Sequence, residues 1–313
     1  MSPRIVVTGP TGWIGMAVLA HLARRFGAGW SDSVALFGST ARTIEAPDGS
    51  RLAMRALSDL VAADVDGAIV IHLAYLTKEK VETLGERLFT DTNLAIDDRL
   101  LQVLELGRPR ALFVASSGAA KLAAEGADRH PYGLCKMRQE DRFLNWAAAT
   151  GTPVIAGRIF NIAGPYINKV ESYAIGSFAV QAVRTGTIRI DARVPVFRSF
   201  LHVDDLCTLI VEAGLRGVGR HRAIDLCGAE AFEISDIAAA VARHIGIANI
   251  SLSRDAIDWS RPSIYLGDPT HTKVLAMEVG GGLSAFDQQV VDTLAWLCDR
   301  TGEIKEASGG VVV

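Results

Sequence analysis

Cysteine is scarce in this chain of 313 residues: Cys135, Cys207, Cys227 and Cys298 stand far apart, and none forms a CxxC pair. That excludes a disulfide framework and a cysteine zinc site, and reduced thiols in a cytoplasm are the expected state. No stretch of about eighteen apolar residues runs uninterrupted, so no membrane-spanning helix is expected. There is no run of basic residues, and a net charge of −3 gives no attraction for nucleic acid. Internal repeats and low-complexity tracts are also lacking. The first strand begins within a few residues of Met1, and we expect no signal peptide ahead of the fold. Apolar residues, by contrast, are plentiful. They make up 49% of the chain against 21% charged, enough for one large α/β domain or one and a half.

The chain is organised around Thr8-Gly9-Pro10-Thr11-Gly12-Trp13-Ile14-Gly15. Before this segment Arg4–Thr8 is a short β-branched run, expected as a buried strand. After it, Ile14, Val18, Leu19 and Leu22 fall at helical spacing within a helix expected over Trp13–Arg25. A glycine-rich turn between strand and helix leaves room for a pyrophosphate against the backbone, and the helix N-terminus supplies free N–H groups. Three glycines could equally make a tight turn with no ligand. The strand–turn–helix context favours a dinucleotide, with Gly9, Thr11, Gly12, Trp13, Ile14 and Gly15 around it.

Strands expected over 33–37, 52–56, 68–73, 111–115 and 154–159 alternate with helices over 86–106 and 132–149, and a short helical piece starts at Asp59. That alternation implies a doubly wound, Rossmann-type parallel sheet with right-handed crossovers and helices on both faces. Gly164-Pro165 breaks the pattern. Beyond it we expect helices over 175–185, 234–245 and 284–298, and strands over 188–190, 197–202 and 224–226. Asp204 or Asp205 is placed to cap a helix running to Leu215. The expected organisation is a dinucleotide domain over 1–165 that the chain rejoins at 199–228. A smaller substrate lobe takes 166–198 and 229–302, and a loose tail takes 303–313.

An acidic residue near the end of the second strand binds the ribose 2′-hydroxyl in NAD-preferring sites. Here the strand runs into Phe37-Gly38-Ser39-Thr40-Ala41-Arg42, with no carboxylate before Glu45. Two hydroxyls and a guanidinium suit a 2′-phosphate, so Ser39, Thr40 and Arg42 favour NADP, with NAD as the alternative. A plain surface turn would look the same.

Tyr132 and Lys136 stand four apart on an expected helix and so share a face. A phenol exchanges protons near neutrality only if its pKa, about 10, is lowered, and a neighbouring ammonium does this. Such a pair is common by chance. Ala115-Ser116-Ser117-Gly118, at the end of the preceding strand, raises its significance, because a hydroxyl there can polarise a carbonyl beside the phenol.

Together these segments resemble the extended short-chain dehydrogenases/reductases of the NAD-dependent epimerase/dehydratase type. The carriers are TGPTGWIG at Thr8–Gly15, His72-Leu-Ala74, Asn93, Ser116-Ser117, Tyr132-Gly-Leu-Cys-Lys136, Arg158-Ile-Phe-Asn161-Ile-Ala-Gly-Pro165 and Arg198-Ser-Phe-Leu-His202-Val-Asp-Asp205. The resemblance implies a Rossmann domain with a small C-terminal substrate lobe, and a homodimer through the two long helices. It makes Tyr132 the acid/base, Lys136 the ribose-binding lysine and Ser117 the holder of the substrate oxygen, with Ser116 as fallback. Asp59 and Leu60 fall where the family contacts adenine. Leu73, Ala74 and Tyr75 fall beside the cofactor's bridge, Asn93 in the following helix, and Ile159 and Ile162 near the nicotinamide. Asn161, Arg198 and Arg261 fall where sugar-nucleotide members bind the diphosphate. His202, Asp204 and Asp205 are read as structural.

The departures narrow the reaction. Gly118-Ala119 stands where family 4,6-dehydratases carry an Asp-Glu pair and where 3,5-epimerising reductases carry a cysteine. Lys121 replaces the usual aromatic, and the loop between Ile190 and Arg198 lacks the family's glycine-rich turn. What the resemblance leaves is NADPH-dependent reduction of a keto-sugar nucleotide, such as a 4-keto-6-deoxyhexose. A sugar-nucleotide 4-epimerase on retained NAD is the alternative, and a dinucleotide sensor without catalysis is a third reading.

Overall fold

The structure, a computed structural model, describes residues 4–300; the tail expected from Glu303 lies outside them. The strands in chain order are β1 (Ile5–Thr8), β2 (Val34–Gly38), β3 (Arg42–Glu45), β4 (Arg51–Ala56), β5 (Ile69–His72), β6 (Ala111–Ser117), β7 (Val154–Ile159), β8 (Asn161–Ala163), β9 (Thr187–Ile190), β10 (Val196–Arg198), β11 (Phe200–His202), β12 (Ile224–Leu226), β13 (Phe232–Glu233), β14 (Ser251–Arg254) and β15 (Ser263–Tyr265). The helices are α1 (Trp13–Phe26), α2 (Ala62–Val65), α3 (Lys80–Leu84), α4 (Glu86–Leu106), α5 (Gly118–Ala124), α6 (Pro131–Thr150), α7 (Ala174–Thr185), α8 (Val203–Arg216), α9 (Ile234–His244), α10 (Pro269–Val279) and α11 (Phe286–Arg300).

The chain forms two compact units. The first takes the chain through Ile159, then Cys207–Leu226 and Val274–Gly281; the second takes Phe160–Leu206, Cys227–Lys273 and the chain from Gly282. Val274–Gly281 thus belongs with the first unit, although sequence placed it in the substrate lobe.

In the first unit eight strands run in the order β12-β7-β6-β5-β1-β2-β4-β3, parallel except for β3. Strands β1 and β5 are wholly buried, which is why they read as unbroken apolar runs rather than alternating ones. The core gathers Val6, Phe37, Leu60, Leu100, Val114 and Phe143, all fully buried. Burying each such side chain contributes roughly 1.5–3 kcal/mol.

Among the elements of this unit that were not expected are α3, β3 and α5. β3, read as loop, pairs antiparallel with β4 at the sheet edge; of its four residues only Ile44 is buried, so it carries almost no hydrophobic signal. α5 starts directly at the end of β6, where Ser117 Oγ accepts the Ala119 N–H at 3.2 Å as its N-cap.

The second unit packs α7, α9 and α11 together, and Phe178, Ile237, Val241, Val290 and Leu294 on them are buried. Its strands form three small sheets, β13-β10-β15, β11-β8 and β14-β9. The strand expected over 197–202 is two strands, broken at Ser199. The cap expected of Asp204 or Asp205 is made instead by His202, whose Nδ1 accepts the Asp204 N–H at 3.1 Å. Asp205 accepts the backbone N–H and the hydroxyl of Ser284 at 2.7 and 3.0 Å, and burial pushes its carboxyl upward in pKa. Among the described residues no helix is long and apolar enough to cross a membrane.

Candidate active site

The turn after β1 has one shape that two glycines allow. Gly9 adopts φ +71°, and its N–H donates to the Phe37 carbonyl at 2.8 Å. A Cβ there would sit 2.8 Å from the Ala74 nitrogen, and one on Gly15 would sit 2.4 Å from the Gly9 oxygen. Gly12 differs. Its backbone is extended, φ −76° and ψ 171°, and the nearest atom to an added Cβ is 3.7 Å away. Nothing within the chain requires glycine at that position. It is also the N-cap of α1, it offers no side-chain cap, and the first turn has no acidic residue. The positive end of α1 faces the Gly12 backbone, where an anion such as a dinucleotide pyrophosphate fits. Thr11 and Gly12 are exposed, Ile14 is half-buried, and Trp13 is buried.

Past β2, Ser39, Thr40 and Arg42 are exposed, and none makes a side-chain hydrogen bond or ion pair among the described residues. β3 sets Arg42 opposite Met54. Asp59 accepts the Ser58 hydroxyl at 3.3 Å, and its carbonyl accepts Arg55 at 2.6 Å. Leu60 is wholly buried, its carbonyl bonded to Arg99. Sequence reasoning passed over Arg55, whose guanidinium lies 4.7 Å from the Phe37 ring and bonds Asp64 at 2.8 Å. No spacing pattern marks it, since only sheet register brings Phe37 and Arg55 side by side.

At the end of β5, Leu73 and Ala74 donate their N–H groups to Thr8 Oγ1, both at 3.2 Å, and Leu73, Ala74 and Tyr75 are half-buried. Asn93 was expected to touch the cofactor. It is wholly buried, and its Oδ1 accepts the Leu76 N–H at 2.8 Å, so it shapes this segment from beneath.

β6 ends on the two serines, and their hydroxyls have different partners. Ser116, 4% exposed, donates to buried Glu140, which also holds Arg158 through three contacts of 2.8–3.1 Å. Arg158 reaches Asp225 at 4.0 Å, and Lys121 reaches it at 3.1 Å, so Lys121 closes a buried ionic chain. Glu140 raises the Arg158 pKa by hydrogen bonding. Ser117 caps α5, opposite Ile159 in register.

Tyr132 lies in the first turn of α6, its N–H donated to His130 Nδ1 at 3.2 Å. One turn on, Lys136 is 4% exposed. Its ammonium donates to the Ala115 carbonyl at 2.6 Å and to Gln139 Oε1 at 2.9 Å, and it sits 3.5 Å above the Tyr75 ring. That ring and the Tyr132 ring stand edge to face at 74°, centroids 6.4 Å apart. Burial lowers the Lys136 pKa to about 7, against opposing pulls from Asp97 and Glu140. Burial and the Asp97 charge push the Tyr75 phenol upward, so it stays neutral. The fold thus brings Tyr132, Lys136 and Tyr75 into one cluster, two residues along β6 from Ser117.

In the second unit Asn161 Nδ2 donates to the Ser199 carbonyl at 3.1 Å, next in chain to Arg198. Arg198 is half-buried and bonds the Phe197 carbonyl and Ser263 at 2.8–3.2 Å, with Tyr265 beside it at 5.8 Å. No carboxylate pairs with it among the described residues, and burial lowers its pKa. Arg261 is exposed, two residues before β15, which pairs with the Arg198 strand. Ile162 is buried within β8 and Ile159 within β7.

A mostly parallel sheet of this order, with its glycine turn after β1, is the Rossmann architecture of the extended short-chain dehydrogenases/reductases, and the protein is an enzyme of that type. The family follows from the sequence itself. Residues 5–223 match the model of the NAD dependent epimerase/dehydratase family, and the chain belongs to that family. It is 25% identical over 300 residues to a dTDP-L-rhamnose 4-epimerase of Burkholderia thailandensis, covering 78% of this chain and 81% of that one. A double mutant of DesIV, a dTDP-glucose 4,6-dehydratase of Streptomyces venezuelae solved with NAD and DAU bound, superposes with a TM-score of 0.70. It is 20% identical, over 96% of this chain and 98% of that one. RMD of Pseudomonas aeruginosa, solved with NADPH, gives a TM-score of 0.71 at 23% identity over 96% and 100% of the two chains. At these identities the solved structures speak for the fold.

Proposed function

We propose that the protein reduces the carbonyl of a keto-sugar nucleotide, of the 4-keto-6-deoxyhexose kind, using NADPH. One observation carries the reading: buried Lys136, with half-buried Tyr75 and Tyr132 around it, bonds the Ala115 carbonyl on a strand whose end is followed by Gly118 and Ala119. Tyr132, on α6, is the one acid/base group this reading needs, and Gly118-Ala119 supply no carboxylate pair for dehydration after β6. The nicotinamide supplies the hydride. Tyr132 gives its phenolic proton to the carbonyl oxygen, the Lys136 ammonium favours the phenolate left behind, and Ser117 orients that oxygen. Ser117 takes this part rather than Ser116, whose hydroxyl is committed to Glu140.

The exposed, unpaired Ser39, Thr40 and Arg42 support a 2′-phosphate, hence NADP over NAD. Arg198, a half-buried cation that no carboxylate pairs with among the described residues, supports a diphosphate substrate, with Asn161 bonded to the neighbouring Ser199 carbonyl and Arg261 two residues before β15, the strand paired with β10. The family resemblance supports a homodimer through α4 and α6. Four buried cysteines with no disulfide among the described residues suit a reducing cytoplasm.

The curated relative supports a second reading, a 4-epimerase that oxidises and re-reduces one carbon on retained NAD. Extracting the purified protein separates the two. Tightly held NAD indicates the epimerase; a site that fills with added NADPH and turns over a keto-sugar nucleotide indicates the reductase.

A further inference from the structure

We infer that Asp97 is the counterion of Lys136, linked to it across the amide of Gln139, and that it is the positioning residue that keeps this lysine protonated. The inference rests on the reading of Lys136 as part of the acid/base pair. Asp97, on α4, is wholly buried, and Gln139, on α6, is 1% exposed. Gln139 Oε1 accepts from the Lys136 ammonium at 2.9 Å, while its Nε2 donates to Asp97 Oδ1 at 2.7 Å. An ammonium only donates and a carboxylate only accepts, so the amide can lie only this way round, its dipole aligned between the two charges.

The groups facing Lys136 come from every element around it. Glu140, Cys135 and Tyr132 share its helix, Tyr75 lies beneath the ammonium, and the Ala115 carbonyl comes from β6. Glu140 is already neutralised by the Arg158 guanidinium. Asp97 has no lysine or arginine bonded to it; His72 Nε2 lies 3.6 Å from Oδ1, and Oδ2 has no hydrogen-bond partner among the described residues. An isolated buried carboxylate is costly, and so is an isolated buried ammonium. Held one amide apart, each offsets the other. The consequence is chemical. Burial drives the Lys136 pKa down towards neutrality, and the Asp97 charge limits the fall, so that an ammonium remains beside Tyr132. Nothing in the sequence pattern marks Asp97 or Gln139. They meet only because α4 packs on α6.

The test is a titration of the full chain carrying carbon-13 at lysine Cε, with Lys136 assigned from the signal missing in Lys136→Met. Wild type is expected to titrate at about 7. Asp97→Asn keeps the shape and hydrogen bond but removes the charge, and should lower the Lys136 midpoint by roughly one unit, the lower end of what a nearby opposite charge produces. The alkaline limb of turnover should move down with it. Gln139→Met, which breaks the bridge while leaving Asp97, should shift the midpoint the same way by less, and serves if Asp97→Asn does not fold. A midpoint unchanged or raised in the variants that fold overturns the inference. A midpoint that falls while the turnover profile stays put upholds the counterion and removes Lys136 from the chemistry.

Discussion

At the scale of single residues, the account turns on a phenol and a buried ammonium. Tyr132→Phe keeps the ring that faces Tyr75 and removes the proton donor. The fold should survive with a melting temperature near wild type and dinucleotide binding intact. Turnover should fall by about 10²–10⁴, the range a positioned general acid supplies. Lys136 gives a pH signature without any substrate. Its folded pKa, about 7, lies below the ordinary lysine value of about 10.4. Below pH 7 the ammonium is charged in both folded and unfolded chains, and its burial cost is fully present. Between about 7 and 10 the unfolded chain binds the extra proton, so the cost is relieved and folding stability rises with pH. Lys136→Met removes this slope. Denaturant titrations of both proteins at pH 7 and pH 9.5 should therefore show wild type gaining on the variant at the higher pH, and a constant difference would refute the assignment.

At the scale of elements, the β1–α1 turn separates glycines required by the chain from one left for a ligand. Gly15→Ala puts a methyl group against the Gly9 carbonyl and should destabilise the fold by roughly 1–3 kcal/mol, the usual cost of overpacking. Gly12→Val sets its Cβ 3.7 Å from the Gly9 oxygen, an ordinary contact. It should leave the melting temperature almost unchanged while abolishing dinucleotide binding, as calorimetric titration would show. The edge strand β3 offers a parallel case. Arg42→Ala should weaken NADP binding roughly tenfold to a hundredfold, the scale of one charge-assisted hydrogen bond, and leave NAD binding alone. Equal losses would assign Arg42 to the solvated surface.

These elements also show what could be read from sequence and what could not. The long buried strands and amphipathic helices of the first unit were legible because burial on one face or both leaves a periodic apolar trace. α4 matches its expected span, and β7 does too. β3 was not legible, with a single buried residue, and neither were β13, β14 and β15, short strands whose residues are half-buried or exposed. For the site, Gly9, Gly15, Tyr132 and Lys136 could be picked out by local spacing. Arg55 over Phe37 and Asp97 across Gln139 could not, because register and helix packing, not sequence distance, bring them together. Asn93 was found by its position, yet its partner is the Leu76 backbone.

At the scale of the whole molecule, the proposal assigns the two units different parts of the substrate problem. The first carries the glycine turn and the Tyr132–Lys136 cluster, and the second carries Arg198, which pairs with no carboxylate among the described residues. Arg198→Ala should therefore impair turnover of a sugar nucleotide while leaving dinucleotide binding nearly intact. Nucleoside diphosphates should give binding heat with wild type and little with the variant. The central claim is carbonyl reduction, and one isotope measurement addresses it most directly. Protein is incubated with NADPH deuterated at the transferring nicotinamide position and a 4-keto-6-deoxyhexose nucleotide, and the sugar product is read by mass spectrometry. The account expects one deuterium per sugar and one NADPH oxidised for each alcohol formed. A sugar converted with no deuterium gained and no NADPH consumed would contradict it.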